Sequence, residues 1–185
     1  MSSEWSSEDL AACVLDLART RPPTLGAGRL ICVDGPAGSG KTSLAAELAA
    51  RAAAPVVHMD DLYDGWDGLA TVAEHLSGLL RPLAEGRPGS YRRYDWHAGR
   101  YAETVTVDPA PLLVVEGVGS GDRSTADLCT VLVVVTAPDE VRLERGLARD
   151  GEVMREDWLG WMSAEREHLA REGTQDRADL VVETA

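Results

Sequence analysis

The stretch Gly35-Pro36-Ala37-Gly38-Ser39-Gly40-Lys41-Thr42 constrains this chain more than any other, because it meets the phosphate-binding pattern G-x-x-x-x-G-K-[ST] at every fixed position. The apolar run Leu30-Ile31-Cys32-Val33 leads into it as a buried strand would, and Thr42 to Ala49 leaves it with helical spacing and strong helix formers. Strand, glycine loop and helix N-terminus together bring backbone N–H groups and the positive end of a helix dipole onto a phosphate. Gly35, Ala37, Gly38, Ser39, Gly40, Lys41, Thr42 and Ser43 are therefore the candidate nucleotide-binding residues. Lys41 is placed to reach the β- and γ-phosphates, and the Thr42 hydroxyl to ligate Mg²⁺. Lys41 is the only lysine, the other 17 of the 18 basic residues being arginine. A compact ammonium is retained where phosphates require one.

The 185 residues suffice for one domain with a full core, so 1–185 is read as a single domain. A net charge of −13 argues against a nucleic-acid partner, since no basic face is available to displace counterions. The longest apolar stretch, around Val131 to Val135, is too short to span a bilayer, and the N-terminus carries no basic-then-apolar signal peptide. A cytoplasmic protein is expected, with no membrane partner. Cys13, Cys32 and Cys129 are odd in number and lie in apolar contexts, which predicts small core residues with neither disulfide nor metal spacing. His58, His75, His97 and His168 form no metal-binding spacing either, so any metal is expected to arrive with the nucleotide.

Along the chain, residues 1–24 read as an appendage packed on the domain, with a helix over Glu8 to Arg19 and a break at Pro22-Pro23. Strands are predicted at 29–34, at Pro55 to Met59, at Leu112 to Val115, at Val131 to Val135 and at Leu180 to Val182. Continuous apolar runs of this kind suit strands buried on both faces of a parallel sheet. Between them, helical spacing follows the glycine loop to about Ala53, runs from Trp66 to Leu83 with Pro82 closing it, and returns at Asp139–Arg149 and Arg155–Arg171. The segment from Tyr91 to Val107 is expected to form a hairpin or edge strands. Alternating strands and helices predict an α/β three-layer sandwich. Ligands in such sheets bind beyond the carboxyl ends of the strands, where Gly35–Thr42, Asp60-Asp61, Glu116-Gly117 and the segment after Ala137 become neighbours.

A phosphate loop alone does not separate kinases from GTPases, ATPases or plain nucleotide binders. An Asn-Lys-x-Asp guanine-reading segment is impossible with the one lysine in the phosphate loop, whereas Glu116 leaves hydrolysis open. Phosphoryl transfer needs a carboxylate near the acceptor hydroxyl and cations for the developing charge. Asp60 and Asp61 offer the first, the alternative being a turn or helix cap ahead of Leu62. Arg142, Arg145 and Arg149, on one helical face, offer the second, the alternative being surface ion pairs. Trp66, Tyr91, Tyr94, Trp96 and Tyr101 offer either a pocket for a flat acceptor or the packing of a small subdomain.

The ordered set Gly35–Thr42, Met59-Asp60-Asp61-Leu62-Tyr63, Tyr94-Asp95-Trp96, Val115-Glu116-Gly117, Arg145 to Asp150, and Thr174 with Ala178-Asp179 resembles the uridine kinase branch of the P-loop kinases. The resemblance implies a five-stranded parallel sheet flanked by helices, an acceptor-binding excursion over 65–107 and a lid over about 145–172. It further implies transfer of the γ-phosphoryl of ATP or GTP to the 5′-hydroxyl of a pyrimidine nucleoside. On this resemblance Asp60 is the catalytic base, assisted by Lys41, Arg145 and Arg149, and Glu116 helps Thr42 order Mg²⁺ through water. Asp61, Tyr63, Tyr94, Trp96 and His97 fall near the nucleoside, and Arg93 is available to an anionic acceptor. Asp61 and Leu62 depart from the family pattern, which leaves the base open between Asp60 and Asp61. Other acceptors, namely a nucleoside monophosphate, a sugar acid or a cofactor precursor, stay open, as do a regulatory ATP-binding module without turnover and a homo-oligomer.

Overall fold

A computed structural model describes residues 7–185, so the beginning of the serine-rich start, residues 1–6, lies outside the described residues. Five apolar runs become strands: β1 (Arg29–Asp34), β2 (Val56–His58), β5 (Leu112–Glu116), β6 (Val131–Thr136) and β7 (Leu180–Glu183). They pair in the order β2-β5-β1-β6-β7, with every neighbouring pair parallel. The runs are apolar without interruption because both faces of the sheet are covered. Leu30 and Cys32 point into one core and Ile31 and Val33 into the other, all at most 1% exposed.

On the Ile31 face lie α1 (Ser7–Thr20) and α2 (Lys41–Ala52), and on the Leu30 face α3 (Val72–Ala84) and α5 (Arg155–Glu172). The three-layer α/β sandwich with a five-stranded parallel sheet is therefore the fold. The N-terminal helix is more than the appendage expected from sequence: Ala11 and Val14 are fully buried, and α1 forms half of one helical layer. Arg21 then ties the following segment to the far edge of the sheet, donating to Asp179 at 2.8 and 2.6 Å and to the Thr130 carbonyl at 2.7 Å.

The expected Trp66–Leu83 helix is shorter at its start, where a 3-10 turn occupies Gly68–Ala70, and it runs past Pro82 to Ala84. Its Leu76, Leu79 and Leu80 are fully buried, so this part of the 65–107 segment is core. What projects is an antiparallel hairpin of β3 (Gly89–Asp95) and β4 (Arg100–Val107), with a bulge between Arg92 and Tyr94. Asp95 shapes the hairpin turn by accepting from the His97 and Ala98 N–H groups at 3.0 and 2.9 Å, bonds that hold its carboxyl below the usual range. The region expected as a lid is the end of α4 (Asp139–Asp150), a 3-10 turn at Glu152–Met154 and α5, followed by the short α6 (Thr174–Arg177). Trp158, Trp161 and Met162 anchor α5 to the body. All three cysteines are free, and no described helix is long and apolar enough to cross a membrane.

Candidate active site

The glycine loop has the backbone that its glycines permit. Gly35 has a φ of 124°, and a Cβ there would lie 2.1 Å from the Val135 carbonyl oxygen; Gly38, with a φ of 77°, would meet the Arg142 carbonyl oxygen at 2.7 Å. The loop is held from two sides by buried charges. Asp34, at the end of β1, accepts from the N–H groups of Gly35 (2.6 Å) and Gly119 (2.9 Å) on Oδ1 and of Gly121 (2.8 Å) on Oδ2. Burial raises its carboxyl while those three N–H groups and Lys41 pull it back. On the other side Glu165 of α5 accepts from the Ala37 N–H at 2.8 Å and from Arg142 at 2.5 Å, and Arg142 also donates to the Ala37 carbonyl at 3.0 Å.

Within this frame Lys41 is 6% exposed and donates to the Pro36 carbonyl at 2.8 Å. Burial lowers its ammonium, against the pull of Glu116, Glu165, Asp34 and Asp60. The Ser39 hydroxyl is buried and has no hydrogen-bond partner among the described residues. The N–H groups of Lys41 and Thr42, the first two of α2, likewise have no backbone acceptor among the described residues, whereas that of Ser43 donates to the Gly40 carbonyl at 3.2 Å. These unsatisfied donors, the resting Lys41 and the loop's positive-φ glycines fit a phosphate chain. Thr42 is exposed, and its hydroxyl donates at 3.2 Å to Oε1 of Glu116, the last residue of β5. No cluster of three or more histidine, cysteine or acidic side chains suited to a metal occurs among the described residues. A divalent cation would thus depend on Thr42, Glu116 and the nucleotide's own oxygens.

The carboxylate side of the cleft hangs from β2. His58 contacts Glu116 Oε1 through Nδ1 at 2.6 Å, and that bond raises its imidazole. Asp60, in the 3-10 turn Met59–Asp61, is open to solvent, yet protein surrounds it on most sides. That crowding raises its carboxyl, Glu116 raises it further, and Lys41, Arg149 and His58 oppose them. Asp61 is instead within 3.5 Å of the Tyr91 hydroxyl, which burial and Asp61 push up to about 12. The charges of Lys41, Glu116 and Arg149 act on Asp60.

The aromatic wall is continuous. The Trp96 indole donates to the Asp60 carbonyl at 2.9 Å, and its ring meets Tyr94 edge-on at 5.4 Å and Trp66 at 5.6 Å. Trp66 in turn meets Trp158 and Trp161 of α5, joining the hairpin to the body. Other predicted site residues are placed elsewhere. Tyr63 is 1% exposed, donates to the Val118 carbonyl at 2.6 Å and packs on Trp161 at 4.9 Å, so it belongs to the core. Arg93 is paired with Glu103 at 2.7 Å, and His97 sits at the exposed hairpin tip. Arg145 turns to the back of the loop, donating to the Gly38 carbonyl (3.1 Å), the Thr184 hydroxyl (3.2 Å) and the Ala185 carbonyl (2.5 Å). Arg149 pairs with Asp150, lies 5.7 Å over the Trp158 ring and is raised by its pairing, with Asp60 and Glu116 contributing. Sequence reasoning missed the supports Asp34, Glu165 and His58. Only Asp34 carried a signal, as a carboxylate ending an otherwise apolar strand directly before the first loop glycine.

A family model described as an AAA domain matches residues 31–169. Among solved structures, the chain is similar to a possible uridine kinase from Bacillus stearothermophilus, at 20% identity over 94% of this chain and 99% of that one, with a TM-score of 0.63. It is similar to a candidate fructose transport system kinase from Silicibacter sp. TM1040, at 20% identity over 96% and 98%, with a TM-score of 0.64. A third, D-glycerate 3-kinase from Cryptococcus neoformans, aligns at 14% identity over 94% and 90%, with a TM-score of 0.55. No curated protein matches the chain. The family match covers the phosphate loop, the carboxylates at both strand ends and the helices that hold them, and the chain belongs to the AAA domain family, with the α/β fold of the P-loop kinases.

Proposed function

We propose that the protein is a Mg²⁺-dependent kinase that moves the γ-phosphoryl of ATP or GTP to a hydroxyl of a small molecule, foremost the 5′-hydroxyl of a pyrimidine nucleoside. The observation that carries this reading is Asp60: a solvent-open carboxyl directly after β2, beside the strand end of Glu116, with Trp96 bonded to its carbonyl and the charges of Lys41 and Arg149 acting on it. A carboxylate so placed accepts the proton of an acceptor hydroxyl, and a raised pKa makes it a better base. The bound Mg²⁺-nucleotide supplies the electrophilic phosphoryl group. Lys41 and Arg149 supply positive charge on the side of Asp60, Thr42 and Glu116 would hold the cation, and Trp96 with Tyr94 walls the acceptor side. The free thiols and the nucleotide site suit the cytoplasm.

The nucleoside reading rests on the ordered motif set and is supported by the likeness to a possible uridine kinase. A second reading, transfer to a sugar or sugar acid, is supported by the likeness to the other two kinases. An acceptor panel of nucleosides, nucleoside monophosphates, sugars and sugar acids, read by ADP release, separates them. The expected result is nucleoside-dependent release that Lys41→Ala abolishes and that Asp60→Asn lowers by about 10²–10⁴-fold with ATP binding kept. ATP binding with no acceptor-dependent release anywhere on the panel would overturn the kinase reading in favour of a binding module.

A further inference from the structure

A second concave site lies between α3 and the hairpin, a groove of about 470 Å³, which falls within the usual size of small-molecule sites. Lys41, Asp60 and Glu116 are not among the residues that line it. Its floor and walls are flat rings: His75 of α3 and Tyr101 of β4 lie 23° from parallel with centroids 6.3 Å apart, and Tyr91 of β3 completes the lining. At its edge the Arg92 guanidinium lies 4.7 Å over the Tyr101 ring. Arg92 pairs with no carboxylate among the described residues, although the next residue, Arg93, pairs with Glu103. In a chain with 31 acidic and 18 basic residues, an exposed arginine held on a ring face with no acid is a charge available to an outside anion. The ring contact fixes the guanidinium while its N–H donors stay free for a bidentate oxyanion. Strand alternation puts Ser90 on the same face as Arg92, and register puts Thr104 opposite it, adding two hydroxyls beside the cation.

We propose that this groove binds a planar heterocycle carrying an anionic group, of the nucleoside monophosphate class, with the ring on His75 and Tyr101 and the phosphate on Arg92. The ligand acts there as an effector, apart from the transferred group and its acceptor. Tyr91 lies between Ser90 and Arg92 on β3 and its hydroxyl contacts Asp61, the neighbour of Asp60, so the strand that carries Arg92 also reaches the acceptor carboxylates. The site does not depend on the kinase reading, because its test reads binding alone.

Titration of the full chain with uridine 5′-monophosphate, followed by calorimetry, tests the proposal. Because the proposed reaction would yield this nucleotide in the acceptor cleft as well, the groove component is the saturable part of the binding that survives Lys41→Ala and Asp60→Asn. Arg92→Ala is expected to weaken it by at least about tenfold, the effect of losing one charge-assisted contact. Thr104→Trp, which fills the groove from an exposed strand position, is expected to abolish it with the melting temperature kept. Uridine and inorganic phosphate, each lacking half of the recognised chemistry, are expected to bind at least about tenfold more weakly. Absence of binding, binding lost with Lys41→Ala, binding unchanged by Arg92→Ala and Thr104→Trp, or binding matched by inorganic phosphate would each overturn the proposal. An aromatic carboxylate that outcompetes the nucleotide would overturn the phosphate class and keep only the ring-bearing anion.

Discussion

Asp34 shows how much of the phosphate loop's shape rests on one carboxylate. Two of its three bonds fall on Oδ1 and the third, from Gly121, on Oδ2. Asp34→Asn can keep the first two, but its amide N–H₂ then faces the Gly121 N–H, donor against donor. A loss of about 1–3 kcal/mol is expected in urea unfolding, with weakened nucleotide binding. A stability equal to the parent's would show that Gly121 is not held this way. The Arg142–Glu165 pair is more severe, since both side chains are at most 3% exposed: Glu165→Leu leaves a buried guanidinium without its strongest partner, at about 3–5 kcal/mol. The double change with Arg142→Met is expected to be milder than that single change, and a double variant that is worse would refute the argument. None of this pairing was legible in the sequence, because 23 residues separate Arg142 from Glu165 and no local spacing marks them. Tyr63 is the reverse case. Met59, Leu62 and Tyr63, all at most 1% exposed, form an i, i+3, i+4 inward face that leaves Asp60 on the outside, a pattern visible in the sequence but hidden behind the resemblance.

Among the elements, α1 was legible as a helix but not as a wall of the core. The sequence spacing picks out Leu10, Cys13, Val14 and Leu17, whereas the face in use is Leu10, Ala11, Val14, Leu15 and Ala18. The two alanines allow the helix close against α2 and β6, and alanine carries little weight in a hydrophobic pattern. Two forces hold α1, and their sizes differ. The Arg21–Asp179 pair is about a third and a quarter exposed at its two side chains, so Arg21→Ala is expected to cost at most about 1 kcal/mol for the pair. Leu15→Ala, at 5% exposure in the core, is expected to cost about 2–5 kcal/mol. Denaturant midpoints of the two variants give the order directly, and a larger loss for Arg21→Ala would mean that the clasp, not the apolar face, seats the helix.

For the whole molecule, the parallel α/β class followed from continuous apolar runs alternating with helices, but the strand order did not: each run is apolar on both faces, so nothing local says which pairs with which. The same double burial traps charge at the centre, and it predicts a pH response. His168 of α5 is 3% exposed; its Nδ1 contacts Arg171 at 2.9 Å, leaving the proton on Nε2, which has no partner among the described residues. Burial pushes its imidazole below 6.5 and Arg171 lowers it further, against Asp34, Glu172 and Asp122. The unfolded chain therefore takes up this proton at a higher pH than the folded one, and stability is lost as pH falls through the unfolded value of about 6.5. Asp34, Asp60 and Glu165 act in the opposite sense. Their raised carboxyls hold protons more tightly in the folded state, so they add stability as pH falls through their folded values, above the ordinary carboxylate range near 4. His168→Gln separates the two, because it removes only the first. Between about pH 7.5 and about pH 5.5 the urea midpoint of the parent is expected to fall more than that of His168→Gln. Equal slopes would mean that His168 takes up its proton at the same pH in the folded and unfolded chains, leaving His58 and the raised carboxyls to set the acid response.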